Sequence, residues 1–222
     1  RVESDEDDFD AALKLLQSAK KPLIYAGGGI IAAGASDELK AFQSLLDAPI
    51  TLSVMGLGAF PAKDPAFTGM IGMHGTKTTS LAVKECDLLI AVGARFSDRV
   101  TCDTKTFAKG AKVLQIDVDR AEIDKNIKTA AHLVGDAKAV LAALNERISQ
   151  MEHSLWMQQI AAWKAAYPLP QTTGETLTPQ CVLEVLHKAT HGDAIVTTDV
   201  GQHQMWTAQY YSVNKPRHFI TS

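Results

Sequence analysis

Residues 87–100 read DLLIAVGARFSDRV, and the reading of this stretch decides the fold. Leu88, Leu89, Ile90, Ala91 and Val92 form an unbroken apolar run. That is the pattern of a strand buried on both faces of a parallel sheet, not of a half-exposed alternating strand. Gly93 and Ala94 then remove side-chain bulk where the strand ends, and Arg95, Asp98 and Arg99 place charge beside the opening. Open parallel sheets bind ligands at the carboxyl ends of their strands, so the stretch is expected to form one wall of a cofactor site.

Upstream, residues 76–86 predict a helix whose Leu81, Ala82 and Cys86 share an inward face. Before it, residues 69–76 read GMIGMHGT, where glycines around Met73 and His74 make a backbone that can lie flat along a ligand. The alternative is that Met73 fills the core and His74 is a plain loop histidine. Nearer the N-terminus, an acidic lead-in at residues 3–8 precedes a helix over 8–19 that carries Phe9, Leu13 and Leu16 at helical spacing. The lead-in is expected to be solvated and poorly ordered. A strand, PLIYA at 22–26, runs into Gly27, Gly28 and Gly29 and on to a helix over 36–46, with Ser36 as its expected N-cap.

Gly27, Gly29 and Ala32 satisfy the GxGxxA dinucleotide fingerprint. The fingerprint also needs an acid at the end of the next strand, but the strand over 49–53 runs out into Ser53, Val54 and Met55, and Asp47 stands at its wrong end. A plain tight turn, or a cofactor in another orientation, is therefore favoured over standard NAD binding. Downstream, a strand over 111–116 closes with Asp117, Val118 and Asp119. Asp117 can accept hydrogen bonds from ribose or ribityl hydroxyls there, or merely cap the short helix that follows, the role preferred for Asp119. A strand over 131–134 ends in Gly135 and Asp136 and leads into a helix to about residue 151. Five or six strands ending in small or polar residues, with helices between, predict an α/β fold: a doubly wound parallel sheet.

Trp156, Ile160 and Trp163 recur at helical spacing, and Pro168, Pro170 and a polar run follow. This break predicts a central domain over 1–152, a linker over 153–178, and the beginning of a second, incomplete α/β domain over 179–222. That second unit is expected to hold a helix over 179–190 and a single strand over 194–198. His187 and His191 have the spacing of a two-histidine metal site, yet no third ligand is near, so a histidine favoured by the negative end of the helix dipole is preferred. Gly201, Gln202 and His203 open a further helix, whose outward amides favour an anion pocket suited to phosphate oxygens over a merely polar entry to a packing helix.

The chain has 222 residues, 46% of them hydrophobic, enough for a substantial core. A formal net charge of -3 without long basic runs gives no footprint for nucleic acid. No stretch approaches the roughly 18 apolar residues of a membrane span. The 3 cysteines form no CxxC pair, which points to a reducing, cytoplasmic setting. With Arg1 first and a strand-like stretch at 220–222 last, the chain reads as a portion of a longer protein.

Taken together, GMHGT at 72–76, VGARFSDRV at 92–100 and TDVGQHQMW at 198–206 resemble the acetolactate synthase (acetohydroxyacid synthase) large catalytic subunit family. The resemblance runs from about residue 8 to the end of the chain. It implies a thiamine diphosphate enzyme that decarboxylates pyruvate and joins the two-carbon unit to a second 2-keto acid, pyruvate or 2-ketobutyrate. This is the first common step of valine, leucine and isoleucine biosynthesis.

By match of motif, FAD would be lined by Gly27, Gly28, Gly29, Ser53, Val54, Met55, Gly72, Met73, His74 and Gly75 on one side of the chain order. Gly93, Ala94, Arg95, Asp98, Asp117 and Asp136 would complete that site, with Arg95 on the pyrophosphate. Val200, Gly201, Gln202 and His203 would contact the diphosphate of thiamine diphosphate, and Asp98 and Arg99 would lie near the substrate channel. Ser97 stands where the family usually has Asp. The activating glutamate and the GDG motif that holds Mg2+ would lie outside residues 1–222, so no catalytic residue and no metal ligand is assigned and these residues alone are expected to be inactive. The resemblance further implies a homodimer or tetramer and a small regulatory subunit as partner. Glyoxylate carboligase and pyruvate oxidase share the layout, and a non-catalytic nucleotide-binding module is the alternative outside this class.

Overall fold

The computed structural model describes residues 2–171 and 177–221. Its organising element is β4 (Leu88–Val92), paired on one side with β1 (Pro22–Ala26) and on the other with β5 (Lys112–Asp117), every pairing parallel. Outside these lie β2 (Ile50–Leu52) and β3 (Phe67–Met70) at one edge and β6 (Ala131–Val134) at the other. The six-stranded order is β3-β2-β1-β4-β5-β6. All residues of β1 and β4 are buried, which is why their sequences run apolar without alternation.

Side-chain parity divides the core into two layers. Leu88, Ile90 and Val92 face a layer built with Phe9, Leu16, Leu39, Phe42, Val140 and Leu144. These come from α1 (Glu6–Ser18), α3 (Ser36–Leu46) and α6 (Ala137–Arg147). Leu89 and Ala91 face the other way, against Ala82, Val83 and Cys86 of α4 (Lys77–Glu85) with Cys86 at its end, and against Trp156 and Ile160 of α7 (Ser154–Ala166). The expected doubly wound parallel sheet is therefore the fold observed.

Several local expectations need correction. The acidic lead-in is not loose: Asp5 accepts from the Asp8 amide at 3.1 Å and Asp8 from the Asp5 amide at 3.3 Å, a reciprocal cap on α1. Ser36 does not cap α3. A short helix, α2 (Gly28–Ala33), intervenes, and Gly34 at φ 62 turns so tightly into α3 that Ala35 takes the cap position without a side-chain bond. The Ser36 hydroxyl is left buried and unpartnered. Strand β3 escaped the sequence reading because its FTGM is short, carries a glycine and sits at the sheet edge. Helix α6 ends at Arg147, four residues short of its expected end.

The segment expected to be a linker, 153–178, begins with α7, which is packed on the sheet. Trp156 Nε1 donates to the Pro22 carbonyl at 2.9 Å, and the Trp156 and Trp163 rings meet edge to face at 5.7 Å. Residues 172–176 of that segment lie outside the described residues. Beyond it come α8 (Pro179–Ala189), β7 (Val196–Thr197), α9 (Gln202–Tyr210) and β8 (Phe219–Ile220). This unit was expected to hold a single strand, but the strand-like stretch at the end of the chain forms β8, which pairs in parallel with β7.

Candidate functional site

Strand order reverses between β1 and β4, and the crevice of a doubly wound sheet opens at that point, beyond the carboxyl ends of its strands. A cleft of about 970 Å³ lies there. From β1 and its turn come Tyr25, Gly28 and Gly29; after β2 come Ser53, Val54 and Met55; after β4 come Gly93, Ala94 and Arg95. Asp117, Asp119 and Glu122 follow β5, and Asp136 follows β6. Met73 and His74 contribute from the loop after β3, Arg99 from α5 (Asp98–Thr101), and Val200, Gly201 and Gln202 from the start of α9.

The turns after β1 and β4 touch through their backbones. The Gly29 amide donates to the Gly93 carbonyl at 3.0 Å. A Cβ on Gly29 would lie 2.7 Å from Gly93 Cα, and one on Gly93, at φ 54, would lie 2.8 Å from Gly29 Cα. The glycines at these positions thus let one loop pack on the other, and the open wall that results belongs to the cleft. The loop after β3 is fixed in the same way: the Met73 amide donates to the Arg99 carbonyl at 2.9 Å.

Five residues expected in the sites lie off this wall. A Cβ on Gly72 would meet the Arg99 carbonyl at 2.7 Å, and the Gly75 amide closes on the Gly72 carbonyl at 2.8 Å, so both glycines shape the loop that carries Met73 and His74. Gly27 donates its amide to the Val92 carbonyl at 3.0 Å beneath the floor. Asp98 is exposed at the start of α5 while its neighbour Arg99 reaches the cleft. The His203 ring rests against Gly201, its Cε1 3.0 Å from where a Cβ would be.

The cleft carries both signs of charge. Arg95 is largely exposed, with Nε 3.9 Å from Glu122 Oε1. Asp117, on the same cleft, is 8% exposed. Burial pushes its carboxyl above the ordinary carboxylate range, with smaller upward contributions from Glu122 and Asp119, while the Asp119 amide, donating at 3.0 Å, opposes the rise. Asp119 does cap the next turn, accepting from the Ala121 amide at 2.9 Å. Tyr25, missed in the sequence because it sits inside an apolar strand, donates its hydroxyl to the Arg95 carbonyl at 3.0 Å. Burial pushes its phenol pKa up, so it stays a donor. Glu122, which no motif marks in the sequence, comes near Arg95 because the chain folds back after β5, where Gln115 Nε2 donates to the Glu122 carbonyl at 3.2 Å.

The helix that opens with Gln202 carries no side-chain cap bond at Gly201, which leaves its first amides available to a ligand. Among the described residues no group of three or more His, Cys, Asp and Glu can hold a metal ion. His191 lies past the end of α8 at φ 52. His187 packs edge-on against Tyr211 at 5.1 Å. Burial lowers its pKa, with Lys63 adding to the fall, a direction opposite to that expected of a ring held charged by the helix end.

The model of the thiamine pyrophosphate enzyme, central domain, matches residues 9–144, which span the whole six-stranded sheet. The chain belongs to the thiamine pyrophosphate enzyme family. Among the members it resembles, the acetolactate synthase large subunit of Haemophilus influenzae is 42% identical over 228 aligned residues, covering 100% of this chain and 40% of that protein. The isozyme 3 large subunit of Escherichia coli K12 is 44% identical, covering 95% of this chain and 38% of that protein. The chloroplastic acetolactate synthase 2 of Nicotiana tabacum is 42% identical, covering 96% and 33%. The chain thus spans between about a third and two fifths of the length of these relatives. No helix among the described residues is long and apolar enough to cross a membrane.

Proposed function

We propose that this family member is the central part of an acetolactate synthase that condenses two 2-oxo acids, pyruvate with pyruvate or with 2-ketobutyrate, and that its large cleft holds FAD. The observation that carries this reading is the cleft at the β1/β4 switch point, with a buried acid at one station and two exposed guanidiniums, Arg95 and Arg99, at another. That donor set fits an adenine dinucleotide. Asp117 can accept from paired sugar hydroxyls, Arg95 can lie along a pyrophosphate, and the small residues after β1, β2 and β4 admit flat rings. Identity above 40% to acetolactate synthases along nearly the whole chain supports the choice of reaction.

Thiamine diphosphate, when bound, supplies the carbanion-stabilising thiazolium that the reaction needs. The residues of this chain bind and orient. The uncapped amides of Gln202 and His203 would meet the diphosphate, and Val200 would pack beside it. Arg99 would offer its charge to the carboxylate of an incoming oxo acid. The magnesium ligands and the activating glutamate would come from elsewhere in the protein, as would the contacts that make a dimer or tetramer and receive a small regulatory subunit. The domain division that follows places the flavin unit at 1–152 together with α7, and the diphosphate unit from 179 onward.

The test is made on the full-length protein supplied with FAD, thiamine diphosphate, Mg2+ and pyruvate. Acetolactate with a bound yellow chromophore of FAD mass is the expected result. Tartronate semialdehyde from glyoxylate, or peroxide from pyruvate without acetolactate, would replace this reading with a carboligase or an oxidase. A colourless protein that binds adenine nucleotides would replace it with a non-catalytic module.

A further inference from the structure

A second cavity, about 270 Å³, lies behind the first, between the sheet edge at β3, the end of α7 and the outer side of α9. His74 and Met70 line both cavities, so the two adjoin. Leu52, Leu57, Phe67 and Val213 give it an apolar floor, and no Asp or Glu is among its lining residues. Its cation is Lys164. The ammonium donates to the Phe67 carbonyl at 2.9 Å and the Pro65 carbonyl at 3.0 Å. An ammonium has three protons, so one remains.

Among the described residues no carboxylate forms an ion pair with Lys164. The nearby Asp64 is engaged by Lys40 at 2.6 Å. Burial lowers the Lys164 pKa despite the field of Asp64, as expected of a desolvated charge held only by neutral carbonyls. A second polar group lies on the same lining. Thr78 borders this cavity beside Thr76 and Thr68, and unlike theirs its hydroxyl is not committed to a neighbouring side chain or carbonyl among the described residues, so it is free to donate to a ligand.

We propose that this cavity is a binding site for a small aliphatic monocarboxylate, separate from the cofactor cleft, with the carboxylate on Lys164 and Thr78 and the hydrocarbon tail on the apolar floor. One cation matches one negative charge. The volume, below the usual range of roughly 300–1,000 Å³ for drug-sized ligands, admits a short tail and excludes a nucleotide. A free amino acid is disfavoured: its ammonium would find no carboxylate in the lining and would face Lys164. Because His74 borders both spaces, an occupied cavity would restrain the loop that carries Met73 into the cofactor cleft.

The test is calorimetric titration of the full-length protein with sodium 3-methylbutanoate, with 3-methylbutanamide as the neutral isostere. Binding of the acid and not the amide is expected. Lys164→Gln should weaken it about ten- to a hundred-fold, as for loss of a charged hydrogen bond. Lys164→Arg should retain it within about three-fold, and Thr78→Val should weaken it about five-fold. Thr78→Val removes no charge and keeps the side-chain shape, so it remains informative if Lys164→Gln disturbs β3. Equal affinity for acid and amide, or equal affinity in wild type, Lys164→Gln and Thr78→Val, would overturn the proposal. Binding abolished by Arg99→Met but kept in Lys164→Gln would place the anion in the large cleft and overturn it as well. None of these readouts depends on turnover, so failure here and failure of the proposed reaction are separately visible.

Discussion

Replacing Trp156 by Ala tests whether α7 is part of the sheet's core or a tether passing over it. The side chain is 4% exposed and closes the layer that contains Leu89, Ala91 and Cys86. Burying about 200 Å² of ring at roughly 25 cal/mol per Å² is worth about 5 kcal/mol against a fully extended chain, an upper bound. Truncations of buried Trp typically cost about 3–5 kcal/mol, a range that includes the residual cavity. The Pro22 carbonyl also loses its donor, held at 2.9 Å. We expect a loss of about 4 kcal/mol, a large part of the roughly 5–15 kcal/mol that holds a typical domain together. For a domain of this size that is a fall in Tm of about 8–16 °C. Trp156→Phe, which keeps a ring and loses the donor, should cost about 1–2 kcal/mol. Urea titrations followed by far-UV circular dichroism avoid the lost fluorophore. If Trp156→Ala moved stability by less than about 0.5 kcal/mol, the surface-like value, α7 would be a tether and this packing argument would fail.

Gly93→Ala forces a side chain into φ 54 and against Gly29 Cα at 2.8 Å. The left-handed penalty of about 1–2 kcal/mol and a steric cost of about 1–3 kcal/mol should appear together as a lower urea midpoint. Asp117→Asn addresses pH. Burial raises the folded-state carboxyl pKa above its ordinary 3.8, so the native state binds this proton more tightly than the unfolded chain. The stability linked to that proton is present below 3.8 and is lost as pH rises through the folded value, a loss the Asn variant escapes. The gap in urea midpoint in favour of Asp117→Asn should therefore open from pH 3.8 upward and then level off; a gap that closes as pH rises would contradict the burial argument. Arg95→Ala should leave stability within about 0.5 kcal/mol, because the side chain is 77% exposed, while weakening flavin retention about ten-fold or more on dialysis.

Much of this was legible in the sequence, for identifiable reasons. Runs such as LLIAV and PLIYA have a period that only a doubly buried strand explains, and the small or polar residue after each marks the end where ligands bind. Asp119, read as a cap, accepts from an amide two positions on at 2.9 Å, while Asp136, read only as a strand-end acid, also caps its helix by accepting from the Ala139 amide at 3.1 Å. Beside local misses such as Ser36 and the capped acidic lead-in, the differences at β3 and α7 have one cause: they concern contacts between residues far apart in the chain. FTGM forms β3 because Thr68 reaches the Ile50 carbonyl at 3.2 Å and Thr79 at 2.8 Å, partners no local pattern shows. The α7 stripe was visible, but its neighbour, the Pro22 carbonyl, is 134 positions away. At Gly27, Gly72 and Gly75 the sequence shows only small residues near a site, and the close backbone neighbours that a Cβ would meet come from the folded chain.

The cleft is shared between two parts of the chain, so its shape depends on how α9 docks against the sheet edge. Polar and apolar contacts both hold the joint. Gln209 Nε2 donates to the His74 carbonyl at 2.9 Å, and Asn214 Oδ1 accepts from the Ala62 amide at 3.1 Å. Apolar support comes from Tyr211 and Val213, 2% and 3% exposed, which join the larger core layer. The Gln209 bond ends on the backbone of the residue whose side chain borders both cavities, so displacement of α9 and displacement of His74 are one motion. Gln209→Ala removes that tie without touching the cleft wall. If α9 positions the loop after β3, the variant should show faster amide hydrogen exchange over residues 71–75 with the sheet strands unchanged; exchange that stays at the wild-type rate would mean that the Met73–Arg99 bond holds the loop alone.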